Sequence, residues 1–456
     1  MQNASHPNPA PTHARQWVIF FAVTLAVVTY VDRACIWQTA GDIQRDLGFN
    51  KVQMSWIFAV FSVAYGLFEI PGGWMGDRFG PRATLMRVVL MWSLFTAATG
   101  WTWNWISMAV CRFFFGAGEA GCFPNLTKVF SIWLPKSERV RAQGIMWLSA
   151  RWGGAFTPLL VVWVLSFASW RVAFMLFGML GIVWAIFFYR WFRDDPRVHP
   201  SVNSTELALL ESATHNAVGH GDVPWQRFMG SGSVWLLWLQ YFCINLAWYS
   251  YISWLPTFLS ETYGMAMTKE SLAILTGLPL FFGGLGSLFT GMVSTRLALW
   301  LGSTARTRRV LGCVGFAGAA AMLVLSTQVN SVLTAAAAML GLSTQVNSAL
   351  MAMVLVGLAA FANDLSMPGS WAACMDIGGC YAGSLSGSMN MVGQIGSAIG
   401  PVAVAQVLKY SDNNWALTFW MAAVVYAVGA VCWLFIDPVT PLDGKEPAKT
   451  APPGAA

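Results

Sequence analysis

Charge is scarce in this sequence: of 456 residues only 10% are Asp, Glu, Lys or Arg, and 56% are hydrophobic. Ordinary soluble domains carry about 25% charged residues, so a soluble globular fold is excluded and a membrane protein is indicated. Histidine is scarcer still, with five residues at 6, 13, 199, 215 and 220, all in the N-terminal tail or one central polar stretch. No histidine proton path can therefore run through the apolar segments, and carboxylates must carry protons if protons are carried at all. The eight cysteines lie in or beside apolar runs, at neither disulfide nor metal-ligand spacing, and read as small hydrophobes. No metal and no cofactor is expected, and with no nucleophile motif either, an enzyme is not expected. A cleavable signal is also lacking: residues 1–16 are polar and Pro-rich, and the apolar run from Trp17 is too long for a signal core. That run is expected to stay as a transmembrane helix.

What is abundant is apolar length. Segments of about 20 apolar residues, enough to span a bilayer, occur near 17–38, 54–75, 83–102, 104–130, 140–166 and 169–192. A second set occurs near 233–258, 271–297, 309–328, 349–374, 383–409 and 415–436. Twelve spans in two groups of six suggest an internal duplication. The expected organisation is a tail (1–16), an N-terminal six-helix bundle (17–192), a polar linker (193–232), a C-terminal six-helix bundle (233–436) and a second tail (437–456). Within the linker, "NSTELALLES" reads as a short amphipathic helix capped by Ser204 or Thr205. Eighteen of the 26 Lys and Arg residues fall in loops and tails on the side of the termini and five on the other, which predicts that both termini are cytoplasmic. "LSTQVNS" occurs at 325–331 and again at 342–348, a short tandem duplication expected to lengthen the outer connection between spans nine and ten, or the start of span ten.

Three arginines, Arg33, Arg112 and Arg151, lie inside predicted spans. Buried charge is expensive, so each is either a structural interhelix pair or part of a ligand site. In "VVTYVDRACIW", Asp32 and Arg33 are helix neighbours whose side chains diverge by about 100°, so each needs its own partner on another helix. In "CRFFFGAGEAGCFP", Arg112 and Glu119 are two turns apart on one face with Gly116 between them, a gap that admits a neighbouring helix or a ligand. Arg151 is a third site cation or else reaches toward a helix end. Glu69 reads as a gate or packing contact, and Asp364 and Asp376 are further candidates. Two converging guanidiniums favour an anion, above all a carboxylate held through parallel hydrogen bonds. A spare carboxylate that burial keeps near its neutral form can then load and release a proton.

The loop after span two, "GWMGDRFGPR" (73–82), resembles the signature loop of the major facilitator superfamily at Gly73, Asp77, Arg78, Gly80 and Arg82, with Pro81 departing from the usual basic residue. The counterpart after span eight, "GMVSTRLALW", is degraded, with Thr295 where an acid might be expected. "YVDR", "YGLFEIPGG" and "RFFFGAGEAGCFP" are similar to the anion:cation symporter branch, which includes bacterial galactonate, glucarate and hexuronate transporters, sialin and the vesicular glutamate transporters. Glu69 stands where many members have glutamine, and Arg151 where a neutral polar residue is commoner, which leaves room for a substrate other than a sugar acid.

The resemblance implies an all-α membrane protein, twelve helices in two rocking six-helix bundles around a central site. It implies that Arg33 binds the substrate carboxylate, that Asp32 and Glu119 couple protons, and that Arg112 is the partner Glu119 releases on protonation. Tyr30 and Tyr65 would line the site, with Arg151, Ser370, Trp371 and Asn390 as further contributors and 73–82 as a gating loop. Glycines of spans five, eight and eleven (Gly153, Gly154, Gly283, Gly284, Gly286, Gly383, Gly387, Gly393, Gly396 and Gly400) are expected at the moving seams. The expected function is proton-coupled import of an organic anion, such as a hexonate, hexarate or hexuronate, across the bacterial inner membrane. Expected partners are a small anionic substrate, protons and the lipid bilayer, with no nucleic acid, and the chain is expected to be monomeric. An exporter or exchanger of another carboxylate or aromatic acid, or a nutrient receptor of the same fold, are the alternatives.

Overall fold

The computed structural model describes residues 10–214, 222–263, 269–340 and 345–442, with no side-chain description at 51, 211–214, 269–274, 329–340 or 345–348. Among the described residues the chain forms helices α1 (Ala14–Leu47), α2 (Lys51–Phe79), α3 (Pro81–Thr99), α4 (Trp105–Glu119), α5 (Cys122–Trp133), α6 (Lys136–Leu165) and α7 (Trp170–Trp191). Two short helices, α8 (Ser204–Thr214) and α9 (Trp225–Gly230), cross the linker. Then follow α10 (Gly232–Ile252), α11 (Leu255–Tyr263), α12 (Lys269–Leu301), α13 (Thr304–Leu340), α14 (Gln345–Asp364), α15 (Met367–Gly378), α16 (Ala382–Tyr410) and α17 (Trp415–Phe435).

Local sequence explains the boundaries. Asn50 with Gln53 and Asn104 with Ser107 form reciprocal caps that start α2 and α4. Gly48, at φ 70°, ends α1 in the left-handed conformation that favours glycine. Pro81 opens α3, where its missing N–H would be unpaired anyway.

The twelve expected spans correspond to α1, α2, α3, α4 with α5, α6, α7, α10 with α11, α12, α13, α14 with α15, α16 and α17. The fourth and tenth are each broken near their middle, at Ala120–Gly121 and Leu365–Ser366, rather than running through as single helices. The first "LSTQVNS" copy lies in the backbone of α13, which continues to Leu340 instead of ending in a loop. Of the second copy, residues 345–348 open α14 and 342–344 fall outside the described residues.

The described ends of the chain share one face, called here the terminal face. Arg15 pairs with Glu138 at the start of α6 and with Glu206 of α8, while Arg309 at the start of α13 donates to the Ile436 carbonyl. Glu206 also accepts from the His13 and Arg15 backbone N–H groups, so the linker helix α8 caps the first turn of α1.

The two bundles meet chiefly where α2 lies against α16 and α6 against α12. Glycine permits both contacts. A Cβ on Gly383 would stand 2.6 Å from the Gly73 carbonyl, and one on Gly144 2.5 Å from the Ser287 carbonyl and 3.0 Å from the Gly291 Cα. Of the glycines expected at moving seams, Gly284, Gly383 and Gly387 do face the opposite bundle. The others pack inside a bundle: Gly153 and Gly154 on α1, Gly283 and Gly286 on α14, and Gly393, Gly396 and Gly400 on α10. Spacing along one helix reveals a smooth face but not which neighbour it meets.

A Cβ on Gly396 would stand 2.6 Å from the Phe242 carbonyl and 3.0 Å from the Leu246 nitrogen, both backbone atoms of α10. Gly396→Val is therefore expected to lower stability by about 1–3 kcal/mol through overpacking, read as a reduced Tm of the detergent-solubilised protein.

Candidate functional site

A small cavity of about 50 Å³ lies between the bundles. Its lining includes Tyr30 and Arg33 of α1, Tyr65 of α2, Phe123 of α5, Trp147 and Arg151 of α6, and Tyr241, Ile244, Asn245, Trp248 and Tyr249 of α10. Met367 of α15 and Asn390 and Gln394 of α16 complete it. Seven of these fourteen residues are aromatic, and the two guanidiniums are the cationic groups of the lining.

Arg33 donates from Nε to Glu119 Oε1 at 2.6 Å, and its guanidinium lies 4.4 Å over the Tyr65 ring. Glu119 is fully buried and is the last residue of α4; its Oε2 makes no hydrogen bond among the described residues. Helix C-termini carry partial negative charge, so an acid there is doubly in need of a cation. Glu119 thus pairs with Arg33, not with Arg112, two turns back on its own helix. Gly116, between them, is filled by α2: a Cβ there would be 2.6 Å from the Phe61 carbonyl.

Asp32 faces the same span at a different point. It is buried with neither carboxylate oxygen hydrogen-bonded among the described residues, and its charged neighbours are Glu119 and Arg112. Arg112 is also buried, with its guanidinium 4.0 Å over the Phe115 ring, Nε and Nη1 unbonded among the described residues, and no place in the cavity lining. The adjacent charges of α1 therefore both turn toward the fourth span.

Arg151 donates from Nε and Nη2 to both oxygens of Asp364 at 2.9 Å each and lies 4.1 Å over the Trp248 ring. This pair joins α6 of one bundle to the end of α14 in the other, and supplies the cation that Asp364 lacks in its own stretch of sequence. Asn390 lines the cavity and donates to the Tyr65 hydroxyl and to Glu69 Oε1. Glu69 is fully buried at the α2–α16 seam. Ser370 and Trp371 stand behind the wall. Ser370 donates to Gln240 Oε1 and the Ser366 carbonyl, and Trp371 donates from Nε1 to the Tyr241 hydroxyl at 3.2 Å. The Trp371 ring also packs 5.4 Å from that of Trp147, so it braces the cavity without lining it.

Reading span by span missed Tyr241, Asn245, Trp248 and Tyr249. Their spacings of four and three or four residues place an amide and three aromatics on one face of α10, a pattern present in "YFCINLAWY". Asn390 and Gln394 share a face of α16 in the same way.

The 73–82 motif, expected as a loop, is helical through Phe79 at the end of α2 and resumes at Pro81 in α3, with Gly80 alone between them, and it lies at the terminal face. Asp77 accepts from the backbone N–H groups of Gly383 at 3.1 Å and Ser384 at 2.6 Å, at the start of α16, and stands 3.5 Å from Lys128 Nζ. A carboxylate at a helix N-terminus is held by unpaired N–H groups and the helix dipole together. Lys128 in turn donates to the Cys380 carbonyl across the bundle boundary. Gly80, at φ 84°, turns the chain from α2 into α3. Arg78 lies over the Trp74 ring, and Arg82 donates to the Tyr189 carbonyl. The Arg82 backbone N–H donates to Asp194, whose carboxyl burial pushes above the usual range. On the other seam Asp376 binds Arg139 at 2.5 Å and Arg308 at 2.6 Å, all three buried.

The sequence model described as Major Facilitator Superfamily matches residues 22–401. The chain belongs to that superfamily. It is a multi-pass membrane transporter and not an enzyme. It is 30% identical over 440 residues to the "Probable sulfoacetate transporter SauU" of Cupriavidus necator, covering 95% of this chain and 96% of that one. To the "Probable galactarate/D-glucarate transporter GudP" of Escherichia coli it is 26% identical, covering 90% of each. Among solved structures, the proton:xylose symporter XylE superposes with a TM-score of 0.71 at 13% identity, over 93% of this chain and 97% of that one.

Asp376→Asn would leave Arg139 and Arg308 buried without their shared carboxylate. A destabilisation of about 3–5 kcal/mol is expected, measured as a lower Tm in detergent.

Proposed function

We propose that the protein is a secondary transporter that imports a carboxylate-bearing organic anion together with protons by alternating access. The observation that carries this reading is Arg33, a cavity-lining guanidinium held by one buried carboxylate, Glu119, that has no other hydrogen bond among the described residues. An incoming carboxylate offers Arg33 two oxygens and competes directly with Glu119. A carboxylate that loses its hydrogen-bonded cation in a buried site is strongly disfavoured as an anion, so Glu119 takes up a proton as Arg33 changes partner. Anion and proton then favour each other's binding, and the coupling is reciprocal. Asp32, beside Arg112, is the second acid assigned to proton coupling.

The two bundles, residues 17–192 and 233–436, are the rocking bodies, and the α2–α16 and α6–α12 seams are where they move. Asp77, Lys128 and the Asp376 cluster hold the terminal face shut and must let go for that face to open. The excess of Lys and Arg on the terminal face supports a cytoplasmic placement in a bacterial inner membrane. The names of the relatives support an acid on a short carbon chain as substrate, a sugar acid or a sulfonated acid. The reading takes the monomer as the working unit.

Arg33→Ala is expected to abolish binding and uptake in proteoliposomes. Glu119→Gln is expected to keep exchange of labelled anion but lose accumulation driven by an imposed pH gradient. Uptake by Arg33→Ala at wild-type affinity would overturn the assignment.

A further inference from the structure

The cavity contains two arginines held in the same manner. Arg33 is bound by Glu119, the last residue of α4, and Arg151 by Asp364, the last residue of α14. Those helices are the first parts of the fourth span of each bundle, so the two acids occupy equivalent places in the duplicated fold, whereas both arginines come from the N-terminal bundle, on α1 and α6. Neither acid lines the cavity, whereas both arginines do. Arg33 uses only Nε on its acid, and Arg151 only Nε and Nη2. Guanidinium nitrogens are therefore left over on both residues.

The arginines stand at different heights. Helices α1 and α6 run in the same direction and touch where Gly153 and Gly154 meet Tyr30, the Gly154 position at 3.0 Å from the Tyr30 ring. Arg33 lies three residues beyond Tyr30, and Arg151 two to three residues before the glycines. At about 1.5 Å per residue the two side chains start about 8 Å apart along the membrane normal. Tyr30 lies between them and is also part of the lining. Asp364 can release its arginine without being stripped, because Ser287 Oγ (3.3 Å) and Asn363 Nδ2 (2.7 Å) also donate to it.

We propose that the cavity selects short organic dianions, with one acid group on Arg33 and the other on Arg151, which Asp364 yields as Glu119 yields Arg33. This rests on the organic-anion reading above and narrows it: hexarates and sulfonated carboxylates are taken in preference to hexonates and hexuronates. A monoanion engages one arginine and leaves the other with its acid. A dianion engages both and thereby loosens the one ion pair of the cavity that joins the two bundles.

The test compares length-matched acids binding to the purified full-length protein: glucarate with gluconate, sulfoacetate with 2-hydroxyethanesulfonate, and succinate with 4-hydroxybutyrate. Each dianion is expected to bind roughly 10- to 100-fold more tightly than its partner, the worth of one further charge-assisted contact. Arg151→Gln combined with Asp364→Asn removes both charges and orphans neither, and is expected to bring the ratio close to one. Asp364→Asn alone frees Arg151 and is expected to raise the ratio. Equal affinity within every pair, or a ratio unchanged in the double variant, would make Arg151 a structural strap and overturn the proposal. Arg33-dependent binding of monoanions would survive that outcome and keep the organic-anion reading. Failure of every acid to bind would sink both.

Discussion

The buried ion pair between Arg33 and Glu119 is the interaction on which the cavity depends. A guanidinium facing a buried, half-aromatic chamber needs a counter-charge, and a carboxylate at the end of a half-helix needs a cation. Each satisfies the other, and neither is satisfied so completely that it cannot be displaced. Glu119 has one bonded oxygen and one unbonded among the described residues, and Arg33 has nitrogens to spare. A site built this way is stable when empty and still open to a competing anion.

Breaking the fourth and tenth spans makes this arrangement possible. In a continuous helix, Glu119 and Asp364 would sit mid-helix with the backbone dipole running past them. Here each stands at a C-terminus, followed by a turn and a second short helix whose side chains are buried. The glycines then separate into two tasks. Those facing the other bundle, such as Gly144, Gly284 and Gly383, let two bodies lie close without interlocking, and those such as Gly396 and Gly400 weld helices within one body. Polar contacts follow the same division. At the terminal face, Asp77 reaches backbone N–H groups at the start of α16 and Lys128 reaches a carbonyl, short contacts that tie helix ends of the two bundles together.

Much of the fold was legible because a bilayer imposes a length on every span. Twelve apolar segments, the polar linker and the motif at 73–82 all appear in one pass along the sequence, although α1 runs nine residues and α13 twelve residues past the expected ends at 38 and 328. The breaks at Ala120–Gly121 and Leu365–Ser366 were not, because an apolar window runs through both, although Pro124 and Pro368 stand in the first turn of the helix that follows each. The site was legible to the extent that charge is conspicuous among apolar residues: Arg33, Arg151, Asp32, Glu119 and Asp364 all stood out. Tyr241, Trp248 and Tyr249 did not, because in a chain with 25 Trp and 30 Phe an aromatic residue is no signal by itself.

The sequence alone therefore determined which residues are charged within the apolar segments, that those segments number twelve, and that the side chains of Asp32 and Arg33 leave the helix about 100° apart. Local geometry is enough for each of these, since hydropathy and a turn of about 100° per residue are properties of a single helix. Only the tertiary structure decided the pairings. Glu119 has Arg112 on its own helix face yet binds Arg33, and Asp364 finds Arg151 more than two hundred positions away in the other bundle. The reason is physical: which of several possible counter-ions a buried charge meets depends on how helices are rotated and placed against one another. That placement is set by the packing of the whole bundle rather than by any segment within it.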